Sequence, residues 1–175
     1  MTDEATQRSV TASGGGVAVR LPWHEWELLR SLPAQLRALL AGDVDAPGVR
    51  RRLFPAASQD PELAAAFAEL TGESLSEEKL AAIDTFAASL AAGESSPEGW
   101  QVELSAGTAA AWLAATNDAR LVLGTLAGIT TEADWERVRG TEHVAGAVLD
   151  YLGWLQEQLI VALSEPDRPL ETRGD

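Results

Sequence analysis

At 175 residues and 46% hydrophobic, the chain is long enough to close one core and short for two. A net charge of −14 opposes direct binding to nucleic acid or to an anionic membrane, because attraction to phosphate scales with the Lys and Arg that neutralise it. The lack of cysteine excludes disulfides, thiolate metal ligands and thiol redox chemistry.

The first 16 residues are polar and end in Ser13-Gly-Gly-Gly16, which predicts a flexible tail over residues 1–16. That start carries no signal-peptide pattern, and no apolar run reaches the ~18–20 residues of a membrane span, so a cytoplasmic location is expected. Val17 to Leu21 alternates and reads as a short strand. Trp23, Trp26, Leu29, Leu32, Leu36 and Leu39 follow helical spacing, and Pro33 should break or kink that helix or open a second one. Gly42 to Pro47 reads as a loop leading into the basic run Arg50-Arg51-Arg52.

Asp60 as N-cap with Pro61 at the first helical position predicts a helix start, with an end near Gly72. Ser74 and Glu77 form a capping-box pattern for a second helix through Leu90, closed by Gly93. Trp100 to Leu104 alternates and should pair with the first strand. A long helix is expected from about Thr108 to Leu126. Thr131 with Asp134 caps a further helix that Gly140 interrupts, and the last helix runs from Thr141 to Leu163. The sum is a mainly α fold, a single-domain helical bundle of about six helices with a short two-stranded β element over residues 17–164. A loose tail is expected over 165–175.

The most informative stretch is Trp112 to Gly124, where a helix carries Asn117, Asp118 and Arg120 amid apolar residues. Polar groups taken out of water cost free energy unless partners satisfy them. Leu113, Asn117, Arg120 and Gly124 share one stripe, while Asp118 lies about 100° from Asn117 and points elsewhere. Asp118 is therefore the member most free to meet a partner. Gly124 suggests close approach by a backbone or a large ring. Arg120 is expected to pair with a carboxylate on the last helix, and Asn117 to bond Gln156 or Tyr151, with Asp150 and Glu157 flanking. A polar network that locks two long helices is the preferred reading; a partner-binding face and a catalytic site remain open beside it.

Arg50, Arg51 and Arg52 make a basic patch that either grips an acidic partner or balances an acidic surface from a solvated loop. His24 and His143 stand without a second histidine at ligand spacing, and Glu77-Glu78 sits on a capping turn. Gly14-Gly-Gly16 precedes a strand instead of following one, which is a weak phosphate signal. No nucleophile elbow or metal motif is present, so neither catalysis nor a cofactor or metal is expected.

The order Arg52-Leu-Phe-Pro55, Asp60-Pro-Glu62, Asn117-Asp-Ala-Arg120-Leu-Val-Leu-Gly124 and Tyr151-Leu-Gly-Trp154-Leu-Gln156-Glu157 resembles an actinobacterial family, the oxidative-stress transcriptional regulators called AosR. The resemblance covers about residues 17–163. It implies a cytoplasmic, non-catalytic regulator of transcription under oxidative stress that contacts a sigma factor or RNA polymerase, and the acidic charge fits a protein not expected to bind nucleic acid alone. A protease or proteostasis adaptor, an enzyme with an unrecognised site, and a homodimer stay open as alternatives.

Overall fold

The computed structural model describes residues 7–43, 46–140 and 143–165. Within them the order is β1 (Ser9–Ser13), β2 (Gly16–Leu21), α1 (Trp23–Ala41), α2 (Pro47–Leu53), α3 (Pro61–Ala92), β3 (Glu94–Ser96), β4 (Gly99–Ser105), α4 (Ala106–Leu126), α5 (Glu132–Gly140) and α6 (Val144–Ser164). The fold is mostly helical, as expected, but the β part is a four-stranded antiparallel sheet of order β1-β2-β4-β3.

The expected strand pair is the centre of that sheet, with Val17 opposite Leu104 and Leu21 opposite Trp100. Alternation places these four side chains in the core. The two outer strands correct the sequence reading. Ser9 to Ser13, expected to be tail, pairs with β2 from Ser9↔Arg20 to Ser13↔Gly16. Gly14 and Gly15 both hold positive φ, the geometry of a two-residue hairpin turn, so the Gly-rich run is a turn. At the next position a Cβ on Gly16 would collide with the Leu104 carbonyl, which brings β2 and β4 together only through glycine. Residues 1–6 and 166–175, within the expected tails, lie outside the described residues.

In α1 the chain runs through Pro33, which is buried with Leu32 and Leu36 instead of ending the helix. Apolar burial offsets the missing hydrogen bond, and the helix stops at Gly42 in a left-handed conformation, where Asp43 N–H reaches Ala38 O at 3.0 Å. Arg50, Arg51 and Arg52 lie on the helix α2 and not on a loop; Val49 and Leu53 anchor its inner side.

Asp60 caps α3 as expected, accepting from Glu62 N at 2.9 Å, with Pro61 in the first turn. The helix then continues unbroken for 32 residues, so neither the stop at Gly72 nor the start at Ser74 is used. Gly72 keeps a negative φ, and a single helical glycine costs only about 1 kcal/mol, less than strong helix formers on both sides recover. Its C-terminal half packs on α1 and α4 through Ile83, Phe86 and Leu90.

Helix α4, capped by Ser105, lies between α3, α6 and α2. Trp112 on α4 meets Phe86 edge-on at 4.9 Å and Trp100 in a stack at 6.2 Å. Its indole N–H donates to Ser89 Oγ at 2.7 Å, so this buried ring brings no unpaired donor inside. Thr131 Oγ1 accepts from Asp134 N–H, the cap expected for α5, and α6 contributes Leu152, Leu155 and Leu159 to the core.

Candidate functional site

Helix α4 divides the polar cluster of residues 117–120 between two environments. Asp118 is buried, 5% exposed, and both carboxylate oxygens accept from Lys79 Nζ of α3, at 2.7 and 3.0 Å. The expectation that Asp118 is the member free for a partner is therefore corrected. The 100° turn away from Asn117 aims it at α3, because α4 is flanked on both sides and has little free perimeter. The chain's single lysine is the counter-charge that this carboxylate needs.

Asn117 and Arg120 are exposed. Arg120 Nη1 donates to Gln156 Oε1 at 2.6 Å, and Gln156 Nε2 donates to Leu113 O at 3.4 Å, so an amide and not a carboxylate bridges α4 to α6. The guanidinium lies over Gly153 of α6, where a Cβ would sit 3.6 Å from Nη2, an ordinary van der Waals contact. Asn117 makes no side-chain hydrogen bond among the described residues, to Gln156, Tyr151 or any other group. Nothing lies within 4 Å of a Cβ on Gly124, so the close approach expected there is absent. Glu157 is exposed, and Asp150 pairs instead with Arg139 at 3.5 Å.

Tyr151 belongs to a different cluster. Its ring stacks on Trp154 at 6.0 Å, with the Arg8 guanidinium 4.3 Å from the Trp154 ring centroid. Arg8 Nη1 donates to Glu25 Oε1 at 3.0 Å, and Glu25 is itself buried. Burial first, then the Glu25 charge, pushes the Tyr151 hydroxyl well above the ordinary tyrosine range. This group ties the run-in to β1 onto α1 and α6. His24, with Nε2 4.0 Å from Glu25 Oε1, sits at its edge, and His143 precedes α6 without a side-chain cap.

Two open hollows share Arg120, Leu121, Gly124, Ile129 and Trp135. The larger, about 330 Å³, adds Arg52, Thr130 and Thr131; the other, about 290 Å³, adds Asn117 and Leu149. Arg52 from the basic run and Arg120 from the polar cluster thus face one depression beside an indole, while Arg50 lies over the Phe54 ring at 5.4 Å. The larger hollow is also lined by Glu132, so its two guanidiniums face a carboxylate of the chain itself, while Asn117 lines only the smaller one. Among the described residues no group of His, Asp or Glu has a metal-binding arrangement.

The feature that sequence reading missed is the N-terminal half of α3. No residue from Pro61 to Glu78 is buried, and Leu63, Phe67 and Leu70 are 59%, 49% and 82% exposed. At about 100° per residue these three fall on one stripe, on the side of the helix opposite Ile83, Phe86 and Leu90. Their i, i+4, i+7 spacing was visible; the assumed stop at Gly72 concealed that it belongs to a different face from the core residues.

Compared with curated protein sequences and with solved structures, the chain has no match in either. A family model described as a domain of unknown function, DUF2017, matches residues 7–163 and so takes in the sheet, all six described helices and both polar clusters. The chain belongs to the DUF2017 family.

Proposed function

We propose that this protein is a non-catalytic, cytoplasmic regulator of transcription that acts by docking on another protein, a sigma factor or RNA polymerase subunit. The observation that carries the docking role is the outer stripe of α3. Leu63, Phe67 and Leu70 stand in water on a helical arm where, from Pro61 to Leu70, every residue but the partly buried Ala64 is exposed. Covering one such side chain is worth about 1.5–3 kcal/mol, and a clustered exposed stripe of this kind marks an interaction surface. The net charge of −14 supports action through protein contacts and not through solo binding to nucleic acid. No described helix is long and apolar enough to cross a membrane. The choice of transcription machinery follows from the resemblance to the AosR regulators.

The test is affinity capture with the full chain and with a Phe67→Ser/Leu70→Ser variant. Sigma or polymerase subunits are expected with the parent chain and should be lost with the variant. Recovery of protease subunits instead would overturn the transcriptional reading in favour of an adaptor.

A further inference from the structure

Resting on the reading of the α3 arm as an interaction surface, we infer that its outer stripe is built for a basic amphipathic helix of a different protein. The apolar part of the surface is short and straight. Leu63 and Leu70 are separated by two turns, about 10 Å along the axis, with Phe67 between them. A partner helix with apolar residues at i, i+3 or i+4, and i+7 matches that length and spacing.

Charge then selects the partner. From Phe54 to Glu78 the sequence contains no Lys or Arg, and every charged residue on the arm is acidic. Glu73 and Glu77 border the stripe on one side, and Glu78 lies on the other at helical spacing. The next cation, Lys79, is spent on Asp118 inside the fold. Nothing on the arm neutralises its own carboxylates.

A second copy of this chain is a poor occupant for that reason. Antiparallel arms set the Glu73/Glu77 border against its own counterpart, and parallel arms set it against the Glu78 border. Both arrangements oppose like charges, which destabilises helix pairs, and each copy brings a net charge of −14. An anionic membrane or a nucleic acid meets the same repulsion. Lys and Arg flanking an apolar seam convert those borders into complementary contacts, which fix register and raise the association rate.

The experiment uses the full chain and two labelled synthetic helices of about five turns that share a leucine seam, one flanked by lysine and one by glutamate. Fluorescence anisotropy should give saturable binding of the Lys-flanked helix, at least about tenfold tighter than that of the Glu-flanked one, and weakening with salt. Phe67→Ser/Leu70→Ser should cost about tenfold or more. Glu73→Lys/Glu77→Lys should reverse the preference between the two helices, a gain that damage to the fold cannot imitate.

Equal binding of both helices overturns the inference, as does binding of the Lys-flanked helix that survives the double serine change. A dimer in sedimentation that Leu70→Ser dissociates also overturns it, by assigning the stripe to a second copy. If the peptide preference fails while capture of polymerase or sigma subunits still depends on Phe67 and Leu70, the basic-helix chemistry falls and the docking role stands.

Discussion

Ile83, Phe86 and Leu90, in the C-terminal half of α3, are buried against α1 and α4, whereas Leu63, Phe67 and Leu70, in its N-terminal half, keep roughly half or more of their surface in water. The two sets occupy opposite sides of one continuous helix. The C-terminal set contributes to folding and the N-terminal set does not, although the residue types are nearly the same. What separates them is whether another element of this chain lies across the helix. An apolar stripe that no described element covers costs solubility, and a partner that covers it would offset that cost.

This contrast can be broken by truncation. Phe86→Ala removes a fully buried ring that packs edge-on against Trp112, and should cost about 3–5 kcal/mol in urea unfolding. A loss below about 1 kcal/mol would mean that the buried half is not core. Asp118→Ala strands Lys79 in a pocket where 17% of its side chain reaches solvent. That partial exposure puts the expected loss at about 2–3 kcal/mol, under the range for a fully buried pair. Arg120→Ala removes an exposed hydrogen bond to Gln156 and should lower stability by about 0.5–1 kcal/mol. Phe67→Ser, at 49% exposure, should change unfolding by no more than about 0.5 kcal/mol while abolishing capture of the partner.

The smallest effect is acidification of α5. Backbone N–H donation from Thr130 leads, followed by Arg137 and the Thr130 and Thr131 hydroxyls, in holding the Asp134 carboxyl far below its ordinary value of 3.8. Asp134 thus binds protons more weakly in the folded chain. Its contribution is complete above pH 3.8 and fades as pH falls from there toward the lowered folded value. Amide exchange at Thr130 and Thr131 should quicken over that range without global unfolding. Unchanged exchange would show that Asp134 does not hold the turn.

Much of this frame was legible where a local signal and its tertiary context agree. Asp60-Pro61, Thr131 with Asp134, and the pair of alternating strands each specify their own geometry through one or two side chains. Pro33 and Gly72 misled because helix-breaking tendencies of about 1–3 kcal/mol are smaller than what packing and neighbouring helix formers return. The strand Ser9–Ser13 is mostly small and polar, and it becomes a strand because β2 offers an edge. At the candidate site, a polar tie between α4 and α6 was foreshadowed by the interruption of α4 and the amide on α6, but its pairing was not: Gln156 meets Arg120, in place of the carboxylate expected for Arg120 and the Asn117 expected for Gln156. The direction of Asp118 was not, since a helical wheel gives angles between residues and not which neighbour occupies each angle. The free stripe on α3 was hidden for the same reason.

Backbone amide exchange along α3, in the full chain with and without the Lys-flanked helix, reads the claim at its source. Alone, amides near Ile83 to Leu90 should exchange at the rate of global opening, and those from Leu63 to Leu70 much faster. Adding the helix should slow exchange from Leu63 to Glu73 and leave the Arg52–Arg120 hollow unchanged. Protection that appears at the hollow, or nowhere on the arm, would contradict the assignment of the outer stripe as the docking surface.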